Sequence, residues 1–227
     1  PVDNRGDVVG DNWNKHPKDI RNLVEHISGL EHWPKLLNWQ VVEAAKLGPD
    51  GVRELQQAPI LYLSGYDAPQ FADDVQTVQL LREYVNQGGF IFAVRNCSGV
   101  GFDDGIRELV AKMFPEGEAQ LRRLPPDHPV YRSENVLDPT SVDLFGVDFR
   151  CRTAIMYSPN DWSCAWEKAS RIDPPRRKES VKTQIVKALR VGVNVVAYAT
   201  GRELLRTKLG EEEKHNRENK DFNIARG

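Results

Sequence analysis

The feature that most constrains this chain is a set of four short apolar runs in which apolar and polar residues do not alternate. The runs cover residues 60–63, 90–94, 154–157 and 193–198. A strand with one solvated face shows a period of two residues, whereas a strand buried on both faces does not. The runs therefore predict strands of a mostly parallel sheet. Weaker strand candidates cover residues 39–42 and 142–149.

Amphipathic helical patterns separate these runs. The clearest covers residues 73–86, where Val75, Val78, Leu81 and Val85 recur at helical spacing and a double glycine follows. Other helical patterns cover residues 17–27, 103–114 and 181–190. Strands that alternate with helices of this length indicate crossover connections. We therefore expect an α/β fold with a doubly wound, mostly parallel sheet and helices on both faces.

Two proline-containing stretches interrupt this alternation. Residues 115–139 include Pro125, Pro126, Pro129 and Pro139, which block regular backbone hydrogen bonding. We expect a long surface excursion there. Residues 171–178 carry four basic side chains beside two prolines, and a solvated loop explains them without a functional role.

The size and composition of the chain are those of one folded domain. It has 227 residues, of which 40% are hydrophobic and 28% charged. We expect a single domain over residues 1–209, ending in a helix, and a charged linker over residues 210–227 toward a missing region. Because the chain begins at Pro1 and carries no signal segment, we interpret it as part of a longer protein whose other domains are partners.

Several classes of partner are not expected. No window of 18 apolar residues is present, so we expect no membrane span. The formal net charge is -2 and no long basic face appears, so we expect no nucleic-acid partner. None of the three cysteines lies in a Cys-x-x-Cys motif, so we expect neither a metal site nor a cofactor.

The first candidate loop follows the strand at residues 90–94. It contains Cys97 and Ser98, and glycines then lead into the next helix. In a strand-to-helix turn of this kind the side chain at the tip projects above the sheet edge, and the following N–H groups point to the same place. Cys97 is thus a candidate nucleophile and Ser98 a candidate ligand-binding residue. The alternative is that Cys97 is a small packed thiol.

A second loop follows the strand at residues 60–63. If the two strands are neighbours, the N–H groups of Gly65 and Ser98 lie together and can hold an anion or oxyanion. The alternative is that Gly65 only permits a sharp turn.

His128 is the histidine that we select as a candidate general base. It lies between Asp127 and Pro129 in the proline-rich excursion, which can fold back over the sheet edge. The alternative is that this tripeptide only forms a turn.

A third candidate loop follows the strand at residues 154–157. Its polar and aromatic density is suited to lining a pocket, with Asp161 orienting His128 and Trp166 stacking on a flat ligand. Asn160 and Cys164 are further candidate ligand-binding residues. The alternative is a turn that Asp161 caps and that the indoles anchor to the core.

Several segments resemble a bacterial family known as domain of unknown function 4159. They are GDNWN at 10–14, LYLSG at 61–65, GGFIF at 88–92, LPPDHPVY at 124–131, YSPND at 157–161 and CAWE at 164–167. They span nearly the whole chain in order.

The resemblance implies a flavodoxin-like sheet of the class I glutamine-amidotransferase-like superfamily. In catalytic relatives an elbow cysteine acts with a later histidine and carboxylate, usually in a His-x-Glu pair near the end. This chain has no such pair. The resemblance also implies a periplasmic or envelope-associated setting within a larger protein.

Three hypotheses follow. The first is a ligand-binding or interaction domain on an amidotransferase-like scaffold without a full triad, whose partner is a small molecule or a protein. The second is a cysteine-dependent hydrolase or acyl transferase with Cys97 as nucleophile, His128 as base and Asp161 as orienting acid, and the N–H groups of Gly65 and Ser98 as oxyanion donors. The third is an architectural spacer.

Overall fold

The computed structural model describes residues 15–43, 47–48, 50–97, 99–117, 119–169 and 177–201. The helices are α1 (Asp19–Gly29), α2 (Gly51–Leu55), α3 (Val75–Asn86), α4 (Val100–Met113), α5 (Trp162–Lys168) and α6 (Glu179–Ala199). The strands are β1 (Ile60–Gly65), β2 (Phe90–Arg95), β3 (Arg122–Arg123), β4 (Phe145–Phe149) and β5 (Arg152–Ser158). Short 3-10 helices cover Gln70–Asp73, Pro115–Gly117 and Pro129–Arg132.

The five strands form one sheet in the order β1-β2-β5-β4-β3. Strands β1, β2 and β5 are parallel, with Ile60 opposite Phe90 and Ile91 opposite Ile155. Strand β4 is antiparallel to β5, and the short β3 is antiparallel to β4. The predicted α/β fold with a mostly parallel sheet is confirmed at this level.

Helices cover both faces of the sheet, and the side chains of β2 show this directly. Phe90 and Phe92 lie in one apolar core with residues of α1, α5 and α6. Ile91 and Ala93 point the other way, into a second core with residues of α3 and α4. Burial on both faces explains why β2 shows no alternation in its sequence.

The predicted strand over residues 193–198 is wrong, because these residues form the last turns of α6. The second half of this helix is buried on nearly every side: Val191, Val193, Val195 and Ala197 have at most 1% exposure. It packs against α1, α5 and the 3-10 helix Pro129–Arg132. A helix buried all round gives the same apolar run as a buried strand.

Two other expectations also need correction. Residues 39–42 form neither helix nor strand. The stretch over residues 115–139 is irregular, as predicted, but it is not merely a surface excursion. Leu124, Val130, Tyr131 and Leu137 are buried in the core that contains α6.

Several predicted features lie outside the described residues. They are the GDNWN motif, Ser98, most of the basic loop, the helix over 202–209 and the linker over 210–227. None of the described helices combines the length and apolarity needed to cross a bilayer.

Candidate functional site

The three parallel strands end at the same edge of the sheet and bring two candidate loops together there. Gly65 at the end of β1 lies opposite Arg95 at the end of β2, and Val94 lies opposite Ser158 at the end of β5. Residues that follow these strands therefore meet above one edge, which is where ligands bind in open α/β sheets.

Cys97 lies in a tight turn between β2 and α4. Its backbone is left-handed, with φ of 49°, which is uncommon for a residue with a side chain. Gly99 then passes so close to β1 that a Cβ atom there would overlap the backbone carbonyl of Tyr66. The turn thus needs a glycine at position 99, and it presents Cys97 as an exposed residue.

Asp161 connects this turn to the start of α5. Its Oδ1 accepts hydrogen bonds from the Cys164 N–H at 2.9 Å and the Ser163 hydroxyl at 2.8 Å. Its Oδ2 accepts a hydrogen bond from the Cys97 N–H at 2.9 Å. Asp161 is therefore the N-cap of α5 and at the same time fixes the backbone of the Cys97 turn.

His16 completes the cluster from the other side. Its Nε2 lies 3.6 Å from Cys97 Sγ and 4.0 Å from Asp161 Oδ1. One histidine nitrogen, the cysteine sulfur and one carboxylate oxygen all lie within 4.8 Å of one another. We call this group the Cys97–His16–Asp161 cluster.

The start of α1 holds His16 in this position by bonds to α5. The Lys18 N–H donates to Glu167 Oε2 at 2.6 Å, and Asn22 Nδ2 donates to the Trp166 carbonyl at 2.8 Å. Only 13% of the His16 side chain is exposed. The ring is therefore fixed beside the thiol by the docking of two helices.

The surroundings of the cluster oppose ionisation of the thiol. Partial desolvation of the sulfur and the adjacent Asp161 carboxylate raise the pKa of Cys97 above its ordinary value, although Lys15 acts in the opposite direction. These surroundings therefore favour the neutral thiol of Cys97 over the thiolate.

A second carboxyl group lies just below the cluster. Asp19 is 7% exposed, and its Oδ2 accepts a hydrogen bond from the Tyr62 hydroxyl at 2.9 Å. Burial raises the pKa of Asp19 to about 6, in spite of hydrogen bonds from Tyr62 and the Ile20 N–H that lower it. The Asp161 carboxylate adds a smaller repulsion.

The structure does not bring His128 to Cys97. His128 Nε2 lies 3.0 Å from Thr153 Oγ1, and Thr153 is the second residue of β5, at the opposite end of that strand from Ser158. His128 Nδ1 accepts a hydrogen bond from the Val130 N–H at 3.2 Å, so the ring caps a 3-10 helix. The segment cannot fold over the Cys97 edge because Val130 and Tyr131 anchor it in the core.

The other predicted site residues have structural contacts. Gly65 is buried, and its carbonyl accepts a hydrogen bond from the Asn96 N–H at 2.7 Å. Asn160 Oδ1 accepts a hydrogen bond from the Asp143 N–H at 3.2 Å. Cys164 Sγ accepts a hydrogen bond from Lys168 Nζ at 3.1 Å.

Trp166 is the clearest departure from the expected pocket. It has 0% exposure, and its ring lies 6.1 Å from that of Tyr62 and 6.2 Å from that of Phe92. The indole is therefore part of the core and not a surface on which a ligand stacks.

A separate depression of about 430 Å³ lies beside α2. Its lining is polar and consists of Gln40, Asp50, Arg53, Glu54 and Gln57. No member of the cluster lines it.

Sequence reasoning missed His16. It lies 81 residues from Cys97 along the chain, and only the position of Pro17 near a helix start marks the segment. What brings the ring to the thiol is the docking of α1 on α5, which no local pattern encodes.

Comparison with known proteins gives one finding. A family model described as a domain of unknown function (DUF4159) matches residues 6–200. No curated protein matches the chain.

Proposed function

The chain belongs to the DUF4159 family, and from that premise we propose that it is a ligand-binding domain whose site is the Cys97–His16–Asp161 cluster. The amidotransferase-like scaffold and the envelope-associated bacterial setting belong to the same proposal and rest on the family resemblance. The parallel strands β1, β2 and β5, with helices on both faces, support that scaffold.

One observation carries the proposal: a single imidazole nitrogen, His16 Nε2, faces both the thiol and the carboxylate. In a catalytic triad the two ring nitrogens have separate partners, because one accepts the nucleophile's proton while the other is oriented by the acid. The three groups converge on one point in space. Side-chain atoms that converge on one point are suited to holding a ligand. A proton relay needs the three groups bonded one after another.

The state of the thiol supports binding over catalysis. A cysteine nucleophile is activated by a lowered pKa, and here desolvation and Asp161 raise the pKa of Cys97.

The test is the rate at which iodoacetamide alkylates Cys97 in chelator-treated protein, followed from about pH 6 to pH 10 by peptide mass spectrometry. Mapping is needed because Cys151 and Cys164 are also free. We expect slow alkylation at neutral pH, with a rate that rises only toward the pKa of a weakly acidic thiol. A catalytic imidazole would contribute roughly 100-fold, so we expect His16→Ala to change the neutral rate by less than about threefold.

The matched control is His128→Ala, which removes a histidine from the other end of β5. Rapid alkylation at neutral pH that disappears in His16→Ala and persists in His128→Ala would overturn the proposal.

A second candidate function is a cysteine-dependent hydrolase or acyl transferase in which His16 takes the role predicted for His128. Two observations favour it: the left-handed backbone of Cys97, which is typical of a nucleophile elbow, and the 3.6 Å contact with His16. It predicts a covalent acyl adduct on Cys97 after incubation with an activated ester, detectable by intact mass. The binding proposal predicts no such adduct at neutral pH.

A further inference from the structure

We infer that the ligand held by the Cys97–His16–Asp161 cluster is a divalent transition-metal ion, with Zn²⁺ as the best match, and that the described residues leave one coordination position open. This inference rests on the proposed function and names the chemistry of its ligand.

The separation of the sulfur and nitrogen donors agrees with tetrahedral zinc. Bonds of about 2.3 Å to sulfur and about 2.05 Å to nitrogen, at a tetrahedral angle, place the two donor atoms about 3.6 Å apart. Cys97 Sγ and His16 Nε2 are 3.6 Å apart. The corresponding nitrogen-to-oxygen separation is about 3.3 Å, and His16 Nε2 lies 4.0 Å from Asp161 Oδ1. Metal binding therefore requires the His16 ring and the Asp161 carboxylate to approach each other by about 0.7 Å.

The donor types select the class of ion. When the ion binds, an S–metal bond replaces the S–H bond of Cys97 and the thiol proton is released to water. The resulting set of one thiolate, one imidazole and one carboxylate suits zinc and its neighbours in the first transition row. Magnesium and calcium prefer sets made of oxygen donors alone, so they fit this cluster poorly.

Hydrogen bonds from neighbouring groups orient the proposed metal ligands, as they do in known metal sites. The Asp161 carboxylate receives hydrogen bonds from the N–H groups of Cys97 and Cys164 and from the Ser163 hydroxyl. Such outer contacts fix the direction of a metal-bound carboxylate. His16 is fixed in turn through α1, which is bonded to α5.

The part of the chain that the structure describes supplies three protein ligands, and this number indicates an open position. Structural zinc sites have four protein ligands, whereas sites that bind water or substrate have three. Cys164 on α5 carries a further thiol, but its Sγ accepts a hydrogen bond from Lys168 and it is not among the convergent ligand atoms. With these three ligands from residues 15–43, 50–97 and 119–169, the fourth position is left to water or to a ligand group with an oxygen, nitrogen or sulfur donor.

The test is titration of the chelator-treated chain with Co²⁺, which reports its own coordination, followed by competition with Zn²⁺. We expect one Co²⁺ per chain, the intense visible bands of a tetrahedral ion and a near-ultraviolet thiolate-to-cobalt band. Zn²⁺ should displace the ion and protect Cys97 from iodoacetamide.

The variants separate this site from adventitious binding. Loss of a contact that only orients a ligand weakens metal binding by roughly 10–100-fold, so we expect Cys97→Ser and His16→Ala to lose at least about 100-fold. Cys97→Ser should also lose the thiolate band. The matched control Cys164→Ser should bind within about twofold of the parent.

The outcomes are distinguishable from those of the alkylation test. Absence of the thiolate band, or its persistence in Cys97→Ser, overturns the metal site, even when the apo thiol reacts slowly and independently of His16. Rapid, His16-dependent alkylation of the apo thiol overturns the proposed binding function and is measured without any metal.

Discussion

His16 and His128 have similar neighbours but different bonding, and the difference separates a candidate binding site from a structural contact. Each ring lies beside a thiol or hydroxyl and an aspartate: Cys97 and Asp161 for His16, Thr153 and Asp148 for His128. Around His128 the groups bond in series. The Val130 N–H donates to Nδ1, Nε2 contacts Thr153, and the Thr153 hydroxyl donates to Asp148 at 2.5 Å.

That series satisfies both ring nitrogens of His128 within the fold. Burial also lowers the pKa of His128, so the ring is neutral and serves as an N-cap. At His16, by contrast, one nitrogen meets a thiol and a carboxylate at a 3.6 Å and a 4.0 Å separation. The lesson is that the residue types beside a histidine do not identify a site, whereas the partner of each ring nitrogen does.

The largest expected loss of stability comes from Gly99→Ala, which breaks the Cys97 turn beside His16. A Cβ atom at this position overlaps the Tyr66 backbone. Overpacking costs typically about 1–3 kcal/mol, and we expect a loss of about 3 kcal/mol because the overlapping atoms belong to the backbone. Urea denaturation should show this loss in the free energy of unfolding. The matched control is Gly29→Ala at the end of α1, where a Cβ atom meets nothing within 4 Å; a neutral or slightly stabilising change is expected there.

A smaller change in stability, confined to a pH window, is expected from Asp19, the buried carboxyl group beneath the Cys97–His16–Asp161 cluster. Its pKa is raised from 3.8 to about 6 in the folded chain, so the folded state binds more protons than the unfolded state between those values. Stability therefore falls as pH rises through this window, by about 3 kcal/mol at most. Asp19→Asn should remove this fall.

The measurement is urea denaturation of the parent and of Asp19→Asn at about pH 4 and about pH 7.5. The stability difference between the two proteins should shift in favour of the variant at the higher pH by roughly 2–3 kcal/mol. The exposed Asp104 on α4 supplies the control Asp104→Asn. Parallel pH profiles for the parent and Asp19→Asn would show that the buried carboxyl has no such cost.

The smallest loss of stability is expected when each histidine is replaced separately by alanine. This pair of variants tests the comparison of His16 with His128 most directly. His128→Ala leaves the Val130 N–H without its acceptor and removes a ring packed 5.0 Å from that of Tyr198; we expect a loss of about 2 kcal/mol. His16→Ala should cost less than about 1 kcal/mol, because its partners Cys97 and Asp161 are partly exposed and can bond to water when the ring is removed. Thermal and urea unfolding of both variants measure this, and equal losses would contradict the distinction.

The sequence was sufficient to predict the central sheet. The runs over residues 60–63, 90–94 and 154–157 all form strands, because burial on both faces leaves a local signature. The run over residues 193–198 failed because an all-round buried helix has the same signature. Parallel strands also made it possible to predict that Cys97 and Asp161 meet at one edge.

The partner of Cys97 could not be predicted in the same way. His16 reaches the thiol through hydrogen bonds between α1 and α5, and this docking depends on the packed structure. The proline-rich segment carried His128 to the amino end of β5, because its buried Val130 and Tyr131 fit against α6 and not over the opposite edge. The polar residues alone gave no indication of which edge the segment covers.

The double role of Asp161 has a practical consequence for mutagenesis. One carboxylate caps α5 and also fixes the turn at Cys97, so its removal perturbs folding and the cluster together. Loss of function in an Asp161 variant is therefore uninformative by itself about ligand binding. A change in the Cys97 side chain leaves its N–H free to donate to Asp161, and His16 contributes only its ring to the cluster. These are the two positions at which the ligand atoms of the site can be altered while the fold beneath them is kept.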